Sequence, residues 1–469
     1  MIGLRPVLGG GRPAGGGAVL ARAEAYALAR NYSGTGSWLD QSGNGHDAAL
    51  PGGSNDPLFL TTQGGASYLY LPGVSGNYGA HPDIAALDIV GDIDIRVAVA
   101  MTDWTPSELK IVLAKYSAAG TRSYRLGVNT TGVLQFVWSA NGTATGTSSS
   151  TAAPVIADAA GLLLRVAFDV DNGAAGNTAT FYTKPFTAST VRADLRSHTG
   201  WTQLGDPVVS AGTTSIFSGS ATLLTGSFGG GTTNMVDGRF YGAAIYNGIA
   251  GTEAVVIDYT DPSLYDTTRS TVSAVVGGQT VTISRGASGR KSVAVCAPLF
   301  LFGTDDYLEI ADHADLDFAA TDSFTVAVAL RMYGTTANTA IIAKKTGLAV
   351  ETGYALDRGT GGTAPEFTIA DGTAESVAVG PTVTAGTLTM VAGRRRVSSD
   401  STNAVCGGVA GSPTVDATTA TLANAEALRI GRLSGAGTSY TDAEIVGWAL
   451  FREALTDGEM AALSAVMTA

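Results

Sequence analysis

Residues Ile93–Met101 read IDIRVAVAM, and the spacing of their apolar side chains is the strongest indication of fold in the chain. Every second residue of this stretch is large and apolar, while the residues between them are Asp, Arg or Ala. Successive side chains of a β-strand point to opposite faces, so a period of two predicts a strand that packs one face against a core.

Short runs of the same kind recur along the chain, separated by clusters of Gly, Asn, Asp, Ser and Thr that are typical of turns. The other clear strands are predicted at residues 68–71, 124–128, 133–137, 162–170, 179–182 and 240–246. One amphipathic helix is predicted at residues 457–466, with Thr456 as its N-cap and Glu459 three residues later. Many short strands with little helix predict an all-β sandwich or barrel.

Length, composition and charge limit the classes of protein to which the chain can belong. The chain has 469 residues, enough for about two to four domains. Apolar residues make up 45% of it, which excludes a disordered chain. The 28 Lys and Arg residues are outnumbered by 40 Asp and Glu residues, for a net charge of −12. This charge opposes attraction to phosphate and anionic lipid, so we expect no nucleic-acid partner and no membrane insertion.

Cysteine content and the amino terminus add further expectations. Cys296 and Cys406 are too few for a disulfide framework or a thiolate zinc site, so we expect two buried free thiols. No stretch reaches the roughly 18 apolar residues that would span a bilayer. Residues 1–17 are rich in Gly and lack the apolar core of a signal peptide. We therefore expect no export signal and no membrane anchor, and we interpret residues 1–17 as a docking arm or a fraying tail.

The β pattern occurs twice along the chain. Two dipeptides recur at one offset (316 − 87 = 343 − 114 = 229): Leu87-Asp88 as Leu316-Asp317, and Ala114-Lys115 as Ala343-Lys344. These matches predict two units of one fold in tandem. We expect a first domain at residues 18–262, a linker at 263–296 and a second domain at 297–469.

The order of these motifs resembles the concanavalin A-like jelly-roll superfamily in its laminin-G-like branch. A turn at residues 40–46, a Tyr-rich strand, a Leu-Asp turn, a Lys after a buried pair and an acidic C-terminal helix carry the resemblance. The second domain matches end to end, and the first matches best as far as Val170. The resemblance implies two concanavalin A-like jelly-roll β-sandwich domains in tandem, followed by a short helix.

Three longer phrases resemble minor tail proteins of actinobacteriophages: WLDQSGNGHDA at residues 38–48, DPLFL at 56–60 and YLPGVSGNY at 70–78. This resemblance implies a non-catalytic virion structural protein of the phage tail or tail tip, assembled in the host cytoplasm without a signal peptide. Its partners would be other tail proteins and host cell-wall glycan, and it would form a homo-oligomer, most often a trimer at a tail axis. A capsid decoration protein is one alternative, and a carbohydrate-binding module or glycan hydrolase of the same superfamily is another.

The superfamily contains glucanases, whose catalysis depends on a pair of carboxyl groups. A retaining glycosidase places two carboxyl groups about 5–5.5 Å apart. Asp92 and Asp94 alternate on one strand, but Arg96 stands where a third carboxylate is expected. The four histidines form no HExxH motif, and no Ser lies in a GxSxG elbow. We therefore expect no catalytic residues.

A repeated pair of aspartates is the candidate cation site. Asp83 and Asp88 recur as Asp312 and Asp317 with the same separation. Laminin-G-like domains often hold calcium at a rim loop, so the repeat raises the hypothesis of one calcium ion per unit. The alternative is that each pair caps the turn beside a core leucine. Neither motif supplies enough ligands locally for calcium, which favours the turn.

Sugar binding in such folds uses exposed aromatic rings that stack on the C–H faces of a sugar. Trp104, Tyr78 and Trp201 are the candidates, because each falls near a predicted loop. Packing, or contact between subunits, is the alternative for each of them. Trp138 and Trp448 are predicted to lie in strand cores.

An arginine triplet ends one predicted strand. Alternation sends Arg394 and Arg396 to one face and Arg395 to the other. We therefore expect no continuous phosphate-binding patch there.

Overall fold

The computed structural model describes residues 15–287, 289–334, 336–347, 349–433 and 439–469. They divide into two compact units. The continuous unit is Leu60–Pro298, and the split unit joins the described residues up to Phe59 with Leu299–Ala469. Most of the predicted Gly-rich arm, residues 1–14, lies outside the described residues.

Strands dominate the described secondary structure. The first two strands of the chain are β1 (Ala25–Leu28) and β2 (Leu58–Leu60). The next are β3 (Tyr68–Pro72), β4 (Tyr78–His81), β5 (Ile93–Met101), β6 (Lys110–Lys115), β7 (Tyr124–Val128), β8 (Leu134–Ser139), β9 (Thr145–Ser149), β10 (Leu162–Asp169), β11 (Gly176–Lys184), β12 (Thr202–Gln203), β13 (Val208–Ala211), β14 (Leu223–Thr225), β15 (Asp237–Asn247), β16 (Thr252–Asp258), β17 (Thr271–Ser273), β18 (Thr280–Ser284) and β19 (Val293–Val295). The remaining strands are β20 (Leu299–Leu301), β21 (Leu308–Ile310), β22 (Phe324–Met332), β23 (Thr339–Lys344), β24 (Gly353–Arg358), β25 (Pro365–Ala370), β26 (Glu375–Val379), β27 (Leu388–Arg396), β28 (Ser401–Cys406), β29 (Val409–Ala410), β30 (Thr414–Val415), β31 (Leu428–Ile430) and β32 (Ala443–Phe451).

Helices are short in the described part of the chain. The α-helices are α1 (Gly16–Leu20), α2 (Val191–Arg196) and α3 (Asp457–Met467). Single 3₁₀ turns lie at Ala29–Asn31, Gly53–Asn55, Ala85–Leu87, Ala188–Thr190, Pro262–Leu264, Ala314–Leu316 and Val397–Ser399. None of the helices described is long and apolar enough to cross a membrane.

The continuous unit is a sandwich of two antiparallel sheets. One sheet has the order β12-β11-β10-β5-β15-β3-β19, with β13 beside β11 and β16 beside β15. The other has the order β17-β18-β4-β14-β6-β7-β8-β9. The predicted strand Ile93–Met101 is β5, at the centre of the first sheet, and all nine of its residues are buried. Its apolar residues enter the core, and the opposite face, which carries Asp94 and Arg96, is buried as well.

The split unit repeats this architecture. Its larger sheet has the order β2-β20-β32-β22-β27-β28-β29, with β1 beside β32 and β30 beside β28. The smaller sheet has the order β21-β31-β23-β24-β25-β26. Phe324, Phe367 and Trp448 are fully buried between them. The predicted all-β sandwich fold is confirmed for both units.

The amino-terminal segment belongs to the split unit, which corrects the predicted domain boundary at residue 18. Strand β1 pairs antiparallel with β32, from Ala25 opposite Leu450 to Leu28 opposite Gly447. Trp38 is completely buried in the core of the same unit, with its ring 4.6 Å from that of Phe300. Local sequence could not reveal this pairing, because its two strands lie at opposite ends of the chain.

The predicted linker at residues 263–296 is also corrected, because it forms part of the continuous unit. Strand β18 pairs with β4, and β17 pairs with β18. Strand β19 pairs with β3 and is fully buried. Arg285, Gly286 and Gly289 lie between β18 and β19.

The segments that complete the two units occupy equivalent places. Strand β16 lies beside β15, with Asp258 opposite Gly242, as β1 lies beside β32. Beyond β16, Tyr265 forms an antiparallel bridge with Val272, as Trp38 does with Ala48 beyond β1. The completing segment therefore follows the body of the continuous unit in sequence but precedes the body of the split unit.

The predicted C-terminal helix is confirmed as α3. Thr456 and Glu459 form the expected capping box. The Arg22 guanidinium lies 2.8 Å from the Glu459 carboxylate, which ties the amino-terminal segment to this helix. Burial alone would raise the pKa of Glu459, but the hydrogen bonds from Thr456 and the ion pair with Arg22 lower it to about 2. Gly16 of α1 lies against Ala462, where a Cβ would meet the Ala462 carbonyl oxygen.

The substitution Trp38→Ala tests the assignment of the amino-terminal segment to the split unit. We expect it to lower the free energy of unfolding of the split unit by about 3–5 kcal/mol, because it leaves a large cavity in that core. The continuous unit should be unaffected. Pulse proteolysis in urea with peptide mapping reports each unit separately. The control is Leu39→Ala, since Leu39 is 58% exposed. Equal, small effects of both substitutions would contradict the assignment.

Candidate functional site

Each repeated aspartate pair surrounds a buried lysine. In the split unit, the Lys344 ammonium lies 2.7 Å from Asp312 and 2.8 Å from Asp317, and it donates to the Asn424 carbonyl at 2.6 Å. The Lys344 side chain is fully buried, whereas both carboxylates are partly exposed. Tyr354 donates to the Leu316 carbonyl at 3.0 Å, and burial raises the pKa of this tyrosine well above its usual value.

The continuous unit contains the same cluster. The Lys115 ammonium lies 2.5 Å from Asp83 and 3.4 Å from Asp88, and it donates to the Gly219 carbonyl. Tyr124 donates to the Leu87 carbonyl at 3.4 Å, as Tyr354 does to Leu316. The Leu-Asp and Ala-Lys dipeptides that revealed the repeat therefore meet in space, one cluster in each unit.

These lysines change the interpretation of the candidate calcium sites at Asp83, Asp88, Asp312 and Asp317. The position between each pair of carboxylates holds an ammonium group, so the aspartates already have a cation as partner. A calcium ion needs six to eight oxygen ligands and would have to displace it. The capping alternative holds for one aspartate of each pair. Asp88 and Asp317 are the C-cap residues of the two 3₁₀ turns, whereas Asp83 and Asp312 precede the N-cap residues Ile84 and His313.

Asp94, one of the two glucanase-like carboxylates, is fully buried between two arginines. Arg96 binds it through Nε at 3.2 Å and Nη2 at 2.8 Å. Arg165 binds it through Nε and Nη2, both at 2.9 Å. Asp92 accepts a hydrogen bond from the Val170 backbone N–H at 2.9 Å. A carboxylate held by two bidentate arginines and closed to solvent can neither attack a sugar nor exchange a proton with it.

The three candidate stacking residues lie at separate places. The prediction for Trp104 is wrong, because this residue is 3% exposed and its indole N–H donates to the Ala160 carbonyl inside the core. Tyr78 is half-buried in β4, with Gly231 packed against its ring. Trp201 is half-buried and covers the arginine pair around Asp94, with guanidinium carbons 5.5 and 5.6 Å from its ring centre. Tyr78 and Trp201 stay predictions as sugar contacts.

A cleft in the continuous unit is a more complete candidate binding site than any of these three aromatic residues. We call it the polar cleft, for the hydroxyl and amide side chains in its lining. It encloses about 400 Å³, in the lower part of the range of about 300–1,000 Å³ typical of small-molecule sites. Its walls are the edge strand β9 and its turn on one side, and β11 with the end of β13 on the other. The lining residues are Trp138, Ala140, Asn141, Ala144, Thr145, Gly146, Thr147, Asn177, Ser210, Ala211, Gly212 and Thr213. None of these side chains is ionisable.

Two lining residues carry buried polar atoms that have no hydrogen-bond partner among the described residues. These atoms are the indole nitrogen of Trp138 and the amide oxygen of Asn177. The amide nitrogen of Asn177 donates to the Thr213 carbonyl at 3.2 Å, which fixes the orientation of the group. A buried polar atom without a partner costs about 1–3 kcal/mol. A ligand that reached both atoms would have to offer a hydrogen-bond acceptor to the indole N–H and a donor to the amide oxygen.

Sequence reasoning predicted Trp138 as strand core and did not single out Asn177. The first prediction is confirmed, since Trp138 is 3% exposed and packs against Phe168 at 4.5 Å between ring centres. In the split unit, Ile369 takes the position of Trp138 opposite the repeated tyrosine. This difference between the repeats was the one signal in the sequence that could have indicated the site.

The arginine triplet alternates as predicted. Arg394 and Arg396 both reach Asp457, at 2.7 and 3.6 Å, whereas Arg395 pairs with Asp416 at 2.6 Å on the other face. Burial lowers the pKa of Arg394. The positive charge of Arg394 and Arg396 in the adjoining cleft of about 550 Å³ is therefore partly neutralised by the Asp457 carboxylate.

Cys296 and Cys406 are both free thiols and are partly rather than fully buried. Burial raises the pKa of the Cys406 thiol. Its state at neutral pH is therefore the unreactive thiol.

Comparison with known proteins agrees with this architecture. Residues 302–461 match the sequence model of the concanavalin A-like lectin/glucanases superfamily. The fold is concanavalin A-like. The matched range covers most of the carboxyl-terminal part of the split unit. No curated protein sequence matches the chain.

Several solved structures are similar to parts of the chain at low identity. The LG4-5 domains of the mouse laminin alpha1 chain are 8% identical with a TM-score of 0.30, over 87% of this chain and 94% of that one. The CBM40 of Ruminococcus gnavus IT-sialidase, bound to α2,3-sialyllactose, is 9% identical with a TM-score of 0.26, over 40% and 91%. The binding domain of Paraclostridial Mosquitocidal Protein 1 is 8% identical with a TM-score of 0.29, over 36% and 43%. This chain spans less than half of that last structure.

The substitution Lys344→Met tests the buried lysine cluster. We expect it to lower the free energy of unfolding by about 3 kcal/mol at pH 7, because it leaves two carboxylates without their cation. The control is Lys110→Met, which removes an ion pair with the exposed Glu108 and should cost less than about 1 kcal/mol. Urea denaturation measures both. Equal losses would mean that the buried lysine adds nothing beyond a surface ion pair.

Proposed function

We propose that the chain is a non-catalytic glycan-binding protein whose sugar site is the polar cleft of the continuous unit. The observation that carries the proposal is the pair of buried, unpartnered polar atoms on Trp138 and Asn177. Sugar hydroxyl groups donate and accept hydrogen bonds at once, so one sugar ring can serve both atoms.

The lining of the cleft favours a neutral sugar. Hydroxyl and amide side chains such as Thr145, Ser210 and Asn141 line it, and no ionisable side chain does. A carboxylated or phosphorylated glycan would place its charge there without a counterion, at a cost in desolvation. We therefore infer a site for one or two neutral sugar residues.

The buried state of Asp94 supports a binding rather than a hydrolytic role. A retaining or inverting glycosidase needs two carboxyl groups that reach the glycosidic bond. Asp94 is closed off by Arg96 and Arg165, and no acidic residue lines the cleft.

We further propose that this binding serves attachment of a phage tail to the host cell wall. The support is the resemblance of residues 38–48, 56–60 and 70–78 to actinobacteriophage minor tail proteins. In this role the protein would assemble with other tail proteins as a homo-oligomer, and a capsid position is the alternative.

Binding of neutral oligosaccharides and of isolated actinobacterial cell-wall glycan tests the site. We expect Thr145→Trp to weaken binding at least about tenfold, because the indole would fill the cleft without entering the core. Thr145 is exposed and lines the cleft, whereas Thr143, which is exposed in the turn before β9, does not line it. The matched control Thr143→Trp should therefore retain the affinity of the wild type.

Three results would contradict the proposal. One is equal binding by the two tryptophan variants, which would place any sugar site elsewhere. Another is release of reducing sugar from the glycan, which would make the protein an enzyme. Absence of binding to every glycan would remove the glycan-binding role itself.

A further inference from the structure

His46 is a buried histidine at the end of a turn that is organised by hydrogen bonds to the Asp40 carboxylate. The Asp40 carboxylate accepts backbone hydrogen bonds from Tyr26, Ser42, Gly45 and His46, at 2.9 to 3.2 Å. Burial alone would raise the pKa of Asp40, but hydrogen bonds from the Ser42 hydroxyl and from the backbone of Ser42, Tyr26 and His46 lower it. The His46 side chain is only 4% exposed. The turn therefore fixes the backbone at His46, and burial confines its imidazole.

Three side chains of the same unit surround the His46 ring. The His313 ring lies edge-on to it, with ring centres 4.9 Å apart. The Nε2 atom of His46 lies 3.6 Å from the Glu24 carboxylate and 3.8 Å from the Asp315 carboxylate. These distances are too long for hydrogen bonds. In the described part of the chain, this buried nitrogen has no hydrogen-bond partner.

The second half of the cluster is also anchored by backbone contacts. His313 is the N-cap of the 3₁₀ turn Ala314–Leu316, and its Nδ1 accepts from the Asp315 backbone N–H at 3.2 Å. The Arg452 guanidinium donates to the backbone carbonyl of Asp315 at 2.6 Å. The backbone of both halves of the cluster is therefore fixed before any ligand arrives.

The spacing of these groups is that of ligands around a small cation. One ligand atom from each of His46, His313 and Asp315 lies within 4.8 Å of the others. Neighbouring ligands of tetrahedral zinc, at about 2.0–2.1 Å from the metal, stand about 3.3 Å apart. The Asp315 carboxylate is 3.3 Å from His313 and 3.8 Å from His46. Side-chain rotations of the half-exposed His313 and Asp315 would close the set, and the rotation of His313 would free its Nδ1 from the Asp315 backbone N–H.

We propose that His46, His313 and Asp315 bind a divalent transition-metal ion, Zn²⁺ in the first instance, with Glu24 as the fourth ligand. Two imidazoles and two carboxylates form a donor set that suits zinc. The two carboxylates also neutralise the charge of a divalent cation. The ion would join the amino-terminal segment, which carries Glu24 and His46, to the turn at Ala314–Leu316 within the split unit.

The continuous unit provides an internal comparison. At the offset of 229 residues, His313 and Asp315 correspond to Ile84 and Ala86. The bridge from Tyr265 to Val272 replaces the longer turn that carries His46. The equivalent place in that unit therefore has no histidine, and the proposal requires one ion per chain rather than two.

Titration of the untagged, chelator-treated full chain with ZnCl₂ tests the proposal. Calorimetry should show one zinc ion per chain, and Co²⁺ should give the visible absorption bands of a tetrahedral site. We expect His313→Ala and Asp315→Asn each to weaken zinc binding at least about tenfold. Both side chains are about half-exposed, so their loss leaves the core intact. His46→Ala should also abolish binding.

The control is His198→Ala, which removes an exposed histidine of the continuous unit and should leave zinc affinity unchanged. Absence of zinc and cobalt binding by the wild type would overturn the proposal. A stoichiometry of one with equal affinity in all variants would place the ion elsewhere and would overturn it as well. None of these outcomes depends on whether the chain binds glycan.

Discussion

The pairing of β1 with β32 is the contact on which the split unit depends. It joins Ala25 to Leu450, residues 425 positions apart in sequence (450 − 25), and it places Trp38 in the core. Without it, β32 would lose a neighbour in its sheet and the core would lose its largest aromatic ring from the amino-terminal segment. Closing so long a chain segment has an entropic cost that grows only slowly with length. Burial of Trp38 and of the alanines of β1 can therefore offset it.

Each sandwich also contains a buried lysine that joins two aspartates to a backbone carbonyl. The cluster fixes the turn beside Leu87 in one unit and the turn beside Leu316 in the other. The chain that follows this turn therefore starts from the same position in both sandwiches. Differences between the units then arise in the side chains around this common frame. The polar cleft lies in the continuous unit and the histidine cluster in the split unit. Duplication of one fold has thus left two surfaces with different chemistry.

Local pattern predicted the local structure well. The period of two located strands such as β5, and the spacing of Thr456 and Glu459 located the capped helix α3. The sequence could not predict which segment completes each unit, because strand pairing between distant segments leaves no local pattern.

The same limit applied to the candidate site residues. Trp104 follows a strand and lies two residues before Pro106, a position that indicated an exposed loop, yet tertiary packing buries it. Asn177 became significant only because folding leaves its amide oxygen without a partner.

Amide hydrogen exchange of the intact chain tests the central claim most directly. If the amino-terminal segment completes the split unit, the amides of Ala25–Leu28 that bond to β32 should exchange as slowly as those of Ala443–Phe451, through the same unfolding of that unit. Rapid exchange at Ala25–Leu28 with full protection at Ala443–Phe451 would contradict it, because β32 would then be stable without its amino-terminal partner.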